Sequence, residues 1–202
     1  MMKQMRVTNV RRRTFIAGAA ATPLILAAGG LASKRALAAT PSCGGESTPP
    51  QTAGPFFKPD SPRRVSLVGA GMQGERLKLT GRVLSTACQP ISGALIDFWH
   101  CDANGRYDNS GYTFRGHQFS DAQGGFSLET LLPGIYPGRT RHIHVIVQAP
   151  NRRPLTTQLY FPGEAFNRRD FIFDPKLLMT VERTGAQRDA RFDFVLDLGR
   201  SV

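Results

Sequence analysis

The feature that most limits this chain is the shortness of its apolar runs. Leu77, Leu79, Gly81 and Val83 alternate with Lys78, Thr80 and Arg82. That is the two-residue period of a strand with one buried face. Ala94–His100, Phe126–Leu132, His142–Gln148 and Leu155–Phe161 also read as strands. Turn signals cut these runs short: Cys88-Gln-Pro-Ile-Ser-Gly93, Asp102-Ala-Asn-Gly105, the hairpin-like Phe119–Phe126, and the pairs Pro133-Gly134 and Pro137-Gly138. The chain holds 21 Gly and 14 Pro, and no long amphipathic helix is visible. Asn167–Leu178 reads as irregular, with one helical turn near Pro175-Lys176-Leu177. Val181–Arg183 and Ala190–Leu198 are expected to close a last hairpin, with Phe192, Phe194, Leu196 and Leu198 on one face. The sum predicts an all-β fold, an antiparallel β-sandwich of about eight strands with long irregular loops.

A formal net charge of +11 looks at first like a signal for nucleic acid. Seven of the 26 basic residues fall in residues 1–38, which hold no acidic residue. That leaves 19 basic against 15 acidic residues in the rest, and no nucleic-acid partner is expected. Residues 1–38 themselves read as an export signal. They have a basic start, an apolar run Phe15–Ala32 and a small-x-small site at Ala36-Leu37-Ala38. Arg12-Arg13-Thr14-Phe15-Ile16 resembles the twin-arginine motif. An uncleaved membrane anchor is the alternative, because the run reaches the length of a marginal spanning helix. The expected destination is periplasmic or extracellular, with the membrane involved only through the signal.

Residues 39–50, rich in Ser, Gly, Pro and Thr, read as a flexible lead-in to a single domain over 51–202. In an oxidising compartment Cys43, Cys88 and Cys101 can pair, and one must be left over. Cys88 and Cys101 lie beside neighbouring strand candidates and are the preferred pair.

One strand carries chemistry. His142 and His144 are two apart, so both imidazoles project from the same face. Tyr136 precedes the turn that feeds this strand, Arg139 stands between, and Tyr107 follows an earlier turn. By default such histidines are solvated or hydrogen-bonded, and such tyrosines are amphipathic residues at the edge of a core. If the four formed one site, two phenols would need a strongly acidic cation, because a free phenol ionises only near pH 10. Ferric iron suits that demand. Zinc more often takes Cys, His or carboxylate.

Together with their flanks, these residues resemble the intradiol ring-cleavage dioxygenases. The resemblance runs through Gln51–Phe57, Pro90–Ala94, Ile96–Tyr107, Phe114–Gly116, Leu132–Pro137, Arg139–His144 and Leu155–Glu164, in that order. It implies a β-sandwich and a non-haem Fe(III) held by Tyr107, Tyr136, His142 and His144. It also implies that Tyr136 leaves the metal when substrate binds. Arg139 would stabilise charge on the ring, and Gln158 would stand beside the substrate. The implied reaction inserts O2 into a small aromatic diol between its hydroxyls, giving a cis,cis-muconate-type product.

The chain departs from the family pattern in two places. The Tyr136–Arg139 link is short, with Gly138 where relatives carry a bulky loop, and Arg141 adds a charge near the mouth. The helical N-terminal dimerisation region of the catechol and hydroxyquinol branches has no counterpart, and a single chain or a homo-oligomer is expected. Two readings compete with the enzyme. One is a non-catalytic β-sandwich binding module that kept the metal site; the other is a zinc hydrolase.

Overall fold

Nine strands form among the described residues, two of them beyond what periodicity shows cleanly. The structure, a computed structural model, describes residues 45–199; the export signal and Cys43 lie outside the described residues. The strands are β1 (Arg76–Ser85), β2 (Leu95–Trp99), β3 (Arg115–Phe119), β4 (Gly125–Leu131), β5 (His142–Gln148), β6 (Leu155–Tyr160), β7 (Thr180–Thr184), β8 (Gln187–Arg191) and β9 (Phe194–Leu196). One sheet has the order β4-β1-β8-β7, with β9 also on β1; the other has the order β3-β2-β5-β6. The expected sandwich and the 3-10 turn Pro175–Leu177 are both present.

Three local expectations change. Phe119–Phe126 is not a hairpin turn, because β3 pairs with β2 while β4 pairs with β1 across the sandwich. The last hairpin is β7 with β8. β9 leaves it and, like β8, pairs with β1 in parallel. The break falls at Asp193, whose carboxylate accepts the Arg82 amide at 2.9 Å and takes the place of a ladder bond. Nor is the lead-in free at its end: Thr48 is buried and exchanges hydrogen bonds with Val195, at 2.8 Å each.

Alternation builds the core. Leu77, Leu79 and Val83 of β1 and Phe126 and Leu128 of β4 face Ile96 and Phe98 of β2, Ile143, Val145 and Val147 of β5, and Leu159 of β6 in one cluster. Each such side chain contributes roughly 1.5–3 kcal/mol on burial. Phe98 and Phe126 meet across the sheets at 5.9 Å, and Phe126 meets Phe194 at 5.6 Å. Residues of β2, β5 and β6 that do not face this core point to the outer side of the second sheet. The site is built there.

The expected Cys88–Cys101 pair does not form. Cys88 is disulfide-bonded, whereas Cys101 is a free, buried thiol whose Sγ lies 3.6 Å from the Gly134 carbonyl. Cys101 lies two residues past β2 and is buried, and burial pushes its thiol up to about 11. Neighbouring positions in sequence did not imply facing side chains.

Candidate metal centre

Register aligns the site. Arg115, Trp99, His144 and Gln158 are directly opposite one another across β3, β2, β5 and β6, and His142 is opposite Tyr160. Directly paired residues share a face. All six are buried, because loops cover this face.

The loop after β2 delivers Tyr107. Asp102 Oδ1 accepts the amides of Asn104 and Arg106 at 2.8 Å each, and its carbonyl accepts those of Gly105 and Gly134. The Gly134 contact ties this loop to the segment that carries Tyr136. A Cβ on Gly134 would stand 2.5 Å from the Ala103 carbonyl oxygen, so the two backbones meet only because that side chain is missing. Beyond Tyr107, the Gly111 amide, then Thr113 and Ser110, hold the Asp108 carboxylate well below the usual range. Buried Arg115 grips the Asp108 carbonyl with Nε and Nη2 at 3.1 and 3.0 Å, and the Phe56 carbonyl with Nη1. Phe56 in turn stacks on Tyr107 at 4.3 Å.

Tyr136 and Arg139 bracket a tight turn. The Arg139 amide donates to the Tyr136 carbonyl at 3.0 Å, and Gly138 has φ +80°. Pro-Gly at the two central positions is the type II signature. Arg139 Nε donates to Asp170 at 2.9 Å and Nη2 to Gln158 Oε1 at 2.7 Å. Gln158 Nε2 donates to the Thr52 carbonyl at 2.9 Å. Arg141 does not stand free at the mouth: it pairs with Glu164 at 2.8 Å and donates to the Pro133 carbonyl.

Three of the four expected ligands converge directly. Tyr107 Oη is 3.2 Å from His142 Nε2, which is 3.1 Å from His144 Nε2. The Thr140 carbonyl lies 2.6 Å from His142 Nδ1 and can only accept, so that nitrogen carries the proton and Nε2 presents a lone pair. With Nε2 of His142 bare, two imidazole nitrogens this close suit neighbouring ligands on one ion, which at about 2.1 Å bonds stand about 3 Å apart. Tyr136 stands edge-on to Tyr107, with ring centroids 5.8 Å apart, and its hydroxyl makes no hydrogen bond among the described residues. His144 is stacked on Trp99 at 4.9 Å. Its Nδ1 makes no well-formed hydrogen bond and lies near the Thr52 carbonyl, already taken by Gln158.

Electrostatics agree with this donor set. Burial lowers His142 to about 4, and burial, then His142 and Arg139, lowers His144 well below its ordinary value, so both rings are neutral donors. Burial raises the Tyr107 phenol, which Arg139 and Arg115 partly oppose. Ionising it therefore needs a cation at the phenol oxygen. Among the described residues no three His, Cys, Asp or Glu side chains cluster to hold a metal, so any ion here draws on tyrosine. The donors present fit ferric iron better than zinc.

The sequence reading did not single out Asp170, Thr140 or Arg115. Arg115 lies in a run that reads as polar, Arg-Gly-His-Gln-Phe, and Asp170 follows Arg168-Arg169, where a carboxylate looks like a solvated charge.

The chain is similar to known dioxygenases. The Dioxygenase_C family model, described as "Dioxygenase", matches residues 53–198. Hydroxyquinol 1,2-dioxygenase of Nocardioides simplex is 30% identical over 89% of this chain and 68% of its own length. Chlorocatechol 1,2-dioxygenase of Rhodococcus opacus is 31% identical over 56% of each chain. This chain thus spans about half to two-thirds of the length of these curated relatives. Among solved structures, the dioxygenase domain of a dioxygenase carbohydrate-binding protein fusion from the cellulolytic bacterium Streptomyces sp. SirexAA-E is 56% identical. It has a TM-score of 0.75 over 76% of this chain and all of that one. 3-Chlorocatechol 1,2-dioxygenase of Rhodococcus opacus 1CP superposes with a TM-score of 0.70 at 25% identity, covering 75% of this chain and 73% of that one. With the family model covering most of the described domain, the chain belongs to the intradiol ring-cleavage dioxygenases, a family of oxidoreductases.

Proposed function

We propose that this protein is a non-haem Fe(III) dioxygenase that inserts both atoms of O2 into catechol-type aromatics and cleaves the ring between the two hydroxyls, giving cis,cis-muconate-type products. The observation that carries this is that His142 Nε2 stands 3.2 Å from Tyr107 Oη and 3.1 Å from His144 Nε2, with no carboxylate among them. Tyr107, Tyr136, His142 and His144 would hold the metal. Bound there, ferric iron supplies a Lewis acid that acidifies the diol and a template that orients it.

The chain's own groups do the rest. Tyr136, with its hydroxyl unengaged among the described residues, is suited to take a substrate proton at Oη. Arg139 offers a preorganised positive charge for the electron-rich ring, and Gln158 holds its guanidinium. Phe56, Phe57 and Trp99 form an aromatic wall beside Tyr107 and His144. The substrate class is supported by the names of the relatives, which span hydroxyquinol, chlorocatechol and catechol. Export by the twin-arginine route, work outside the cytoplasm and assembly as one chain or a homo-oligomer complete the proposal. The export part rests on the leader's motif.

The purified protein is expected to be burgundy from phenolate-to-iron charge transfer and to consume oxygen with catechols, forming a muconate. Tyr136→Phe should shift the visible band and lower kcat about 10²–10⁴-fold. A yellow semialdehyde product, or full activity and unchanged colour in that variant, would overturn the proposal.

A further inference from the structure

Asp170 lies just beyond a 3-10 turn, Ala165–Arg168, and its carboxylate is fully buried although its neighbour Phe171 is 89% exposed. A buried carboxylate is costly unless donors surround it. Here Oδ2 accepts both Arg139 Nε and the Thr140 amide at 2.9 Å, and Oδ1 accepts the Ile172 amide at 3.2 Å. Two of the three donors therefore belong to the strand entry that carries the site. Thr140 continues the chain of bonds: its carbonyl receives the His142 Nδ1 proton at 2.6 Å. Its hydroxyl donates to Asn167 Oδ1 at 2.6 Å, from the same segment as Asp170.

We infer that Asp170 is a positioning residue for ring cleavage, one carboxylate that sets both the Arg139 guanidinium and, through the Thr140 peptide, the orientation of the His142 ring. The inference rests on the roles given above to Arg139 and His142. Arg139 commits Nε to Asp170 and Nη2 to Gln158, and Nη1 makes no hydrogen bond among the described residues. Nη1 is therefore the donor left for substrate, and a guanidinium pinned at two corners cannot swing it away. On the other arm, holding the Thr140 peptide keeps its carbonyl on Nδ1, which keeps Nε2 bare. Groups that orient ligands in this way matter nearly as much as the ligands, and a displacement of about 1 Å in a positioned group is costly in rate.

The test is Asp170→Asn in the full protein loaded with iron, beside Arg139→Ala and the double variant. An amide removes the charge and keeps a single accepting oxygen, so its N–H2 must oppose either the Arg139 and Thr140 donors or the Ile172 amide. With catechol as substrate, kcat per bound iron should fall about 10–100-fold, with a smaller change in KM, and iron retention against a chelator should fall by a comparable factor. In the double variant, kcat per bound iron should match Arg139→Ala alone within about twofold, because turnover per iron reads the Arg139 arm, whereas the His142 arm is read by iron retention. Wild-type kcat and chelator resistance in Asp170→Asn, or losses that multiply in the double variant, would overturn the role. Should Asp170→Asn not fold, Asp170→Glu keeps the charge but moves it by one methylene. Reduced kcat per iron there supports the role, and unchanged kcat overturns it. A wild-type protein that takes up no oxygen with any catechol would instead remove the function itself. The chelator readout does not depend on turnover.

Discussion

The two sheets share one alternating pattern, yet their outer faces have opposite fates. On the first sheet the row Glu129–Lys78–Asp189–Glu182 lies side by side across β4, β1, β8 and β7, with Lys78, Glu129 and Glu182 exposed. On the second the row Arg115–Trp99–His144–Gln158 is buried. The strands do not create this difference. The loops do, because Phe56, Phe57 and the Asp102–Thr113 and Pro133–Thr140 segments fold over the second sheet. A sheet face becomes a site when something dry covers polar side chains, since only there do lone pairs stay unscreened and aimed.

Trp99→Ala should break the contrast most severely. The indole is 1% exposed, stacks on His144 and touches Phe57 at 5.0 Å. Its removal is expected to lower unfolding stability by about 3–5 kcal/mol, read by urea titration. The His144 ring should loosen with it, so visible absorbance per bound iron should fall too.

A smaller effect is expected at the seam between the sheets. His100 follows β2 and is fully buried, with Nδ1 donating to the Cys101 carbonyl and Nε2 accepting from Thr130 Oγ1 of β4, both at 2.7 Å. Burial lowers it to about 4, against 6.5 for the free side chain. The neutral ring is the folded form, and the unfolded chain takes up the proton more readily. Its contribution is therefore complete above about pH 6.5 and is lost as pH falls toward about 4. Stability should drop by roughly 1 kcal/mol per pH unit across that window. His100→Gln should flatten the dependence; an identical pH profile in that variant would remove His100 as its source.

The smallest effect sharpens the comparison. Lys78→Ala, on the exposed row, should change stability by no more than about 0.5 kcal/mol and leave kcat unaltered. A large loss would mean that the first sheet's outer face is also covered in the working protein.

Legibility followed the same division. Strands whose inner residues alternate, such as β1, β4 and β5, were readable because burial on one face writes a two-residue period into the sequence. β3 was not, because Arg115 and His117 face the covered side and Gly116 and Gln118 the inner one, so both faces read as polar or neutral. Tyr107, Tyr136, His142, His144, Arg139 and Gln158 were legible as residues, mostly through family resemblance, and the structure gathers them on or beside one face. Asp170 and Arg115 were not. A buried ion is spelled like a solvated one, and only its partners distinguish them.

By itself, then, the sequence determined the all-β class, most strand positions, the common face of His142 and His144, and the Pro137-Gly138 turn that links Tyr136 to Arg139. These are local matters, set by side-chain period and backbone dihedrals within a few residues. Tertiary structure alone decided the parallel pairing of β8 and β9 with β1 and the state of Cys101. It also decided the 3.2 Å approach of Tyr107 to His142 and the Asp170 clamp on Arg139. Each of those joins residues more than thirty positions apart or, like Cys101, turns on what surrounds a side chain. Their free energy depends on water having been removed between them, and no local pattern encodes that.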